Sequence, residues 1–189
     1  MDGIQQPSYL AVKIADMNRL YLIILVSSLL MLPALFAGCA ANGKIQSIET
    51  LGNATYSGIY EFPVSLNNGR WEGELFIKGA TSRPVVWLDD GIYLSGDLDD
   101  DGLDEFAVIL WENSGGTGIH SYLAVMGRQE GQIVNLATAY IGDRIQVKNG
   151  RFENGEIVLN IIQHGEGDGA CCPTQKATVS WSLSDLLEK

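Results

Sequence analysis

The sequence predicts a mainly β fold, an antiparallel sandwich or a partly open barrel, with little helix outside its apolar amino-terminal segment. Short runs rich in β-branched and aromatic residues recur at intervals of roughly 8 to 12 residues, and Gly or Asn bounds each run. Two Asn-Gly pairs, at residues 68–69 and 154–155, match two-residue hairpin turns, because a type I′ turn needs positive φ at both central positions. The sequence has no repeat long enough for a solenoid or a full propeller.

The amino-terminal residues 1–38 predict a signal segment rather than a part of the fold. Lys13 and Arg19 precede an apolar run over residues 20–37, and this run ends in the sequence Leu-Phe-Ala-Gly before Cys39. The pattern resembles the signal peptide of bacterial lipoproteins. That resemblance implies cleavage before Cys39 and lipid attachment to its thiol. An uncleaved membrane anchor is the alternative, since the run is close to the shortest length that spans a bilayer.

The same resemblance implies a place in the bacterial cell envelope, where the lipid anchors the protein to the membrane. Ala40 follows the cysteine, and in lipoproteins of diderm bacteria a residue other than Asp there implies the outer membrane. The net charge of −11 is unchanged by removal of residues 1–38, which contain two acidic and two basic residues. So acidic a chain is not expected to bind nucleic acid or anionic headgroups, because both require clusters of Lys and Arg.

Residues 39–50 are small and polar and indicate a tether, whereas residues 51–189 predict one β-rich domain. The predicted strands lie at residues 54–66, 71–77, 85–94, 106–111, 121–126, 133–140, 145–147 and 157–163. One helical turn is expected over residues 184–189, where Ser184 could serve as the amino-terminal cap.

A loop of alternating carboxylates precedes the apolar strand at residues 106–110. Residues 96–105 are Gly-Asp-Leu-Asp-Asp-Asp-Gly-Leu-Asp-Glu. Counted from Asp97 as the first position of the loop, positions 1, 3, 5 and 9 carry acidic side chains. Calcium takes about six to eight oxygen ligands, so alternate carboxylates on a tight loop can converge on one ion. No Lys or Arg occurs between Arg83 and Arg128, and a bound cation would relieve the repulsion among these acids. A solvated acidic turn is the alternative interpretation.

This spacing resembles the Asp-x-Asp-x-Asp-Gly loops of dockerins and of the FG-GAP blades in integrin-type propellers. The resemblance implies calcium ligation by the side chains of Asp97, Asp99, Asp101 and Glu105, and by the carbonyl of Leu103. The twelfth loop position is a valine, which cannot ligate, and a strand follows instead of the helix of an EF-hand. We therefore expect a structural calcium site with a dissociation constant of about 10⁻⁴ to 10⁻³ M.

The second candidate is the Gly-rich segment 164–175, which runs His-Gly-Glu-Gly-Asp-Gly-Ala-Cys-Cys-Pro-Thr-Gln. If Cys39 carries lipid, Cys171 and Cys172 can pair only with each other or with an outside partner, and they can equally remain as buried thiols. Zinc, Cu(I) or thiol-redox chemistry is conceivable, but adjacent side chains diverge and no Cys-x-x-Cys spacing is present. The pattern favours a structural loop in which His164 caps a strand.

The sequence offers no pattern of catalytic residues, and we expect no enzyme. Residues 114–118 form a Gly-rich stretch near His120, but a strand follows it, whereas phosphate loops lead into a helix. A Gly-x-Ser-x-Gly nucleophile elbow is absent, and neither histidine has a serine or cysteine and an acid at a recognisable catalytic spacing.

Several segments together resemble a group of uncharacterised bacterial exported proteins and lipoproteins. They are residues 53–56, the 96–107 region, residues 114–124, residues 136–144 and the Cys-Cys-Pro-Thr-Gln motif at 171–175. We expect a lipid-anchored extracytoplasmic module that is stabilised by calcium and has a binding or structural role in the envelope, with an unknown protein or glycan ligand. The alternative is an extracytoplasmic hydrolase, or a thiol-redox or metal protein, that uses the loop from His164 to Cys172.

Overall fold

The computed structural model describes residues 47–188, and within this range it has ten strands and two short helices. The elements in chain order are α1 (Ser47–Leu51), β1 (Thr55–Tyr56), β2 (Val64–Ser65), β3 (Arg70–Glu72), β4 (Val85–Gly96), β5 (Glu105–Asn113), β6 (His120–Gln129), β7 (Gln132–Asp143), β8 (Gln146–Glu153), β9 (Glu156–Gln163), β10 (Gln175–Ser182) and α2 (Leu183–Leu187). Neither helix in this range has the length and apolar character needed to cross a membrane. The predicted signal segment and the predicted lipid-attachment residue Cys39 lie outside the described residues.

The prediction of a mainly β, antiparallel fold is confirmed. The largest sheet has five strands in the order β3-β4-β5-β6-β7 and curls into a half-barrel. A second sheet has the order β10-β9-β8, and β1 pairs with β2 in a small third sheet. All strand pairs within the described residues are antiparallel.

The five-stranded sheet is covered on both faces, which explains why β5 is apolar at consecutive positions. Ala107 and Ile109 point into a sandwich core that is shared with β9 and α2. Val108 and Leu110 point the other way, into an amino-terminal core that is shared with α1, β1 and β2. The chain therefore forms a sandwich with an additional layer, built from its first described residues, on the outer face of the larger sheet.

The two turns predicted from Asn-Gly pairs at residues 68–69 and 154–155 are confirmed. Asn68 and Gly69 have φ values of 49° and 79°, and Asn154 and Gly155 have values of 53° and 74°. Positive φ at both central positions is the requirement of a type I′ turn. A third turn of this kind, at residues 130–131 between β6 and β7, also has positive φ at both positions but contains Glu-Gly, so the Asn-Gly signal did not reveal it.

Other elements differ from the sequence prediction. The segment 54–66 is two short strands separated by an irregular stretch, and the strand predicted at 71–77 ends at Glu72. The strand β10 was not predicted, although Ala177, Val179 and Trp181 alternate with polar residues and pack against the sandwich core. The cap of α2 is Ser182 rather than Ser184, because the Ser182 hydroxyl accepts a hydrogen bond from the amide of Asp185. The helix α1 occupies the end of the segment predicted as a tether.

Candidate functional site

The acidic loop joins β4 to β5, two neighbouring strands in the five-stranded sheet. Its first and last residues, Gly96 and Glu105, are directly paired across the β4–β5 ladder. Leu98 is buried in the sandwich core, so the loop is attached to the fold by its own apolar residue as well as by its ends. The loop is therefore held at fixed points on a rigid sheet.

Side-chain carboxylates organise the backbone of this loop. The carboxylate of Asp97 accepts hydrogen bonds from the amides of Asp101 (3.1 Å) and Gly102 (2.9 Å). Asp101 in turn accepts from the amide of Leu103 at 2.7 Å. Gly102 has a φ of 86°, a conformation that glycine adopts at no steric cost. These bonds are local Asx-type interactions, which the Asp-rich sequence favours.

Three of the four predicted side-chain ligands converge. One carboxylate oxygen each from Asp97, Asp99 and Glu105 lies within 4.8 Å of the other two. Within residues 47–188, this is the one group of His, Cys, Asp or Glu side chains close enough together to hold a metal ion. Asp97 and Asp99 are exposed, whereas Glu105 is only 3% exposed. Asp101 is not a member of this group.

Burial and neighbouring negative charge both act on Glu105. Burial is the main cause that raises the pKa of its carboxyl group above the ordinary value, and the nearby Asp99, Asp101 and Asp97 raise it further. The hydrogen bond from the Leu98 amide, at 2.9 Å, acts in the opposite direction. The donor set consists of oxygen atoms alone, which suits a hard divalent cation such as calcium or magnesium rather than a soft metal. The residues present thus fit a calcium ion as partial ligands, and water or further oxygens would complete the shell.

In the second candidate loop, Cys171 and Cys172 are joined in a disulfide, and both residues are exposed. Neither sulfur is then a thiolate that could bind a metal. Asp168 organises this loop: its carboxylate accepts hydrogen bonds from the amide of Gly165 (2.8 Å) and from the amide and hydroxyl of Thr174 (both 2.7 Å). These bonds, that from Gly165 first, lower the pKa of Asp168. They close the base of the loop independently of the disulfide.

Arg144 connects the cysteine loop to the Gly-rich loop between β5 and β6. Its guanidinium donates to the carbonyls of Ala170 (3.0 Å) and Thr117 (3.2 Å) and pairs with Asp143 at 2.7 Å. The two Gly-rich segments that the sequence presented as separate candidates therefore lie side by side at one end of the sandwich. The structure does not bring His164 or His120 into the group of converging carboxylates described above.

A buried glutamate forms a polar cluster that sequence reasoning missed. Glu112, near the end of β5, is 1% exposed. One carboxylate oxygen accepts hydrogen bonds from the hydroxyls of Tyr60 (2.7 Å) and Ser114, and the other lies 3.1 Å from Nδ1 of His120. Burial is the main cause that raises the pKa of Tyr60, and Glu112 adds to the shift. Glu112 and His120 are paired across the β5–β6 hairpin, one residue beyond the ends of the predicted strands 106–111 and 121–126, and the approach of Tyr60 was not predicted either.

Comparisons with known proteins add no relative of established function. No known family matches the sequence, and neither a curated protein nor a solved structure gives a match.

Proposed function

We propose that the protein is a lipid-anchored, extracytoplasmic module of the bacterial envelope with a binding or structural role, and that calcium at the acidic loop stabilises its fold. The observation that carries the calcium proposal is the convergence of Asp97, Asp99 and Glu105 within 4.8 Å. A divalent ion there would offset the repulsion among three carboxylates, one of which is buried at the first residue of β5.

The position of the loop supports a structural role for the ion. Glu105 begins a strand whose next five residues are all buried, with alternate side chains in the two cores. An ion that binds Glu105 together with Asp97 and Asp99 would fasten the β4–β5 connection at the centre of the sheet. Three carboxylates on a partly exposed loop are consistent with the weaker affinities of extracellular calcium modules, about 10⁻⁴ to 10⁻³ M.

The rest of the proposal is supported by the sequence. The apolar run at residues 20–37, followed by Cys39, supports lipid attachment and an envelope location. The strongly acidic composition supports a protein or glycan as the partner rather than nucleic acid. If the lipid is the anchor, replacing Cys39 by Ser and residues 1–38 by a secretory signal that is cut without lipidation should release the protein from the membrane fraction.

The calcium proposal is tested by thermal unfolding of the full chain in maltoside micelles, first with a chelator and then with 10 mM added calcium or magnesium. For the affinity range given above, calcium should stabilise the folded state by about 1.4 to 2.7 kcal/mol. For a domain of this size, that corresponds to a rise in Tm of roughly 3 to 11 °C. Magnesium should give a smaller rise, because it demands stricter geometry and loses water reluctantly.

Single substitutions test whether calcium binds at the acidic loop. Asp97→Asn and Glu105→Gln should each remove most of the calcium-dependent rise, since each removes one of the three converging carboxylates. Asp100→Asn is the matched control: it removes one charge from the same loop outside the group, and Asn tolerates the φ of 60° at that position. An equal calcium response in Asp97→Asn and in the unchanged chain would place the ion elsewhere and refute the proposal.

A further inference from the structure

Four aromatic rings gather at the rim of the amino-terminal core, away from the acidic loop. Tyr60 is the centre of the group, with ring centroids 5.3 Å from Phe62, 5.3 Å from Phe76 and 5.8 Å from Trp71. Phe62 stacks on Tyr60, whereas Phe76 meets it edge to face. Phe62 is 44% exposed and Phe76 is 52% exposed, so the group is open to solvent. Large aromatic side chains exposed together in this way are typical of binding surfaces.

Three of these rings, those of Tyr60, Phe62 and Phe76, border a shallow cavity of about 510 Å³ that is also lined by Glu61. Within residues 47–188, no basic side chain lies within ion-pair distance of Glu61. The cavity therefore combines aromatic walls with one negative charge that has no counter-ion in the fold.

A hydrogen bond to the buried Glu112 holds the ring of Tyr60 in place. Its hydroxyl donates a hydrogen bond to the buried carboxylate of Glu112 at 2.7 Å. This bond holds the ring in one orientation, and donation to a carboxylate makes the phenol ring richer in electrons. The face of an aromatic ring carries the negative part of its quadrupole and attracts cations. Tyr60 is thus held as a preformed wall of the cavity.

We propose that the cavity lined by Tyr60, Phe62, Phe76 and Glu61 binds a small organic cation that carries an alkylated ammonium group. The alkyl groups of such a ligand pack against the rings, while its charge is attracted by the ring faces and by Glu61. A small anion is disfavoured by Glu61, and a metal ion finds no cluster of oxygen ligands here. This site is independent of the calcium proposal, since the two share no residue.

The probe is choline, and its neutral isostere 3,3-dimethylbutan-1-ol is the matched ligand because it replaces the ammonium nitrogen by carbon. Binding of each to the full chain in maltoside micelles is measured by saturation-transfer NMR at constant ionic strength, with empty micelles as the blank. Choline should bind with a dissociation constant of about 1 mM, as expected for a ligand with so few atoms. The isostere should bind at least about fivefold more weakly, because it loses the attraction to the rings and to Glu61.

Three variants separate charge from apolar packing. Phe76→Leu keeps apolar volume but removes a ring, and it should weaken choline binding about two- to fivefold. Glu61→Gln changes an exposed residue without changing its shape, and it should weaken choline binding by about 1.4- to fivefold while leaving the isostere unaffected. Tyr140→Leu removes an exposed ring outside the cavity and should change nothing. Equal binding of choline and the isostere, no effect of Phe76→Leu, or no choline binding at 20 mM would each overturn the proposal.

Discussion

Removal of one hydroxyl from Tyr60 should measurably destabilise the fold. The variant Tyr60→Phe keeps the ring and its aromatic neighbours but deletes the hydrogen bond to Glu112, which is 2.7 Å long. Glu112 is 1% exposed, so the oxygen that loses this donor cannot readily take up water in exchange. The same oxygen retains the hydroxyl of Ser114, and the other oxygen retains His120.

The expected size of the effect follows from the charge on the acceptor. A hydrogen bond to a charged group contributes about 1.5 to 3 kcal/mol. Tyr60→Phe should therefore lower the free energy of unfolding by about 1.5 to 3 kcal/mol. For a domain of this size, the midpoint of thermal unfolding should fall by roughly 3 to 12 °C.

The assay is thermal unfolding of the full chain at neutral pH in maltoside micelles, followed by circular dichroism. Tyr140→Phe is the matched control, since Tyr140 is 55% exposed and the same atom is deleted. We expect the control to change stability by less than about 0.5 kcal/mol. If Tyr60→Phe changed the free energy of unfolding as little as the control does, the hydrogen bond would contribute nothing to stability. Glu112 would then not hold the Tyr60 ring in place beside the proposed cation cavity.

Two further predictions concern a second buried tyrosine and the cysteine loop. Burial raises the pKa of Tyr56, so the Tyr56 hydroxyl stays neutral in the folded state at pH values where the unfolded chain already ionises. The contribution of Tyr56 to stability should be constant well below about pH 10 and should fall as the pH rises through about 10, so that between about pH 8 and 11 stability falls less steeply in Tyr56→Phe than in the unchanged chain. Asp168→Ala removes the acceptor for Thr174, so the loop is less restrained and dithiothreitol should reduce the 171–172 disulfide faster, measured by thiol release. The control Glu166→Ala should not change the rate, and equal rates in the two variants would show that Asp168 does not restrain the loop.

The parts of the fold that the sequence predicted well depend on neighbouring residues. The Asn-Gly turns at 68–69 and 154–155 were identified because each pair lies between two runs of strand-forming residues, whereas the Asn-Gly pair at 149–150 forms no turn and lies within β8. The apolar run at 106–110 is buried on both faces, which a run without alternation indicates. By contrast, β1 and β2 are two residues long each, and their pairing depends on packing against the larger sheet rather than on a pattern of their own.

The candidate sites likewise contain some residues that the sequence indicated and others that it could not. The alternation of carboxylates, together with its resemblance to known calcium loops, brought Asp97, Asp99 and Glu105 into consideration. The structure places these three side chains close together. Spacing could not distinguish Asp101, which follows the same alternation as Asp97 and Asp99 but is not part of the converging group. Glu112 and Tyr60 are separated by 52 positions, and only the folding of the amino-terminal layer over the sheet brings them together. No periodicity or motif carries that information.

The order of strands in the sheets has a consequence for how quickly the chain can find its native state. Each hydrogen-bonded pair within residues 47–188 joins strands that are consecutive in the sequence, from β1–β2 through β9–β10. Every ladder can then close across a short connection, at a small cost in chain entropy. Folding rates rise as the sequence separation of native contacts falls. The chain can therefore assemble as a succession of hairpins, and the docking of the two smaller sheets onto the larger one is the step that requires distant segments to meet.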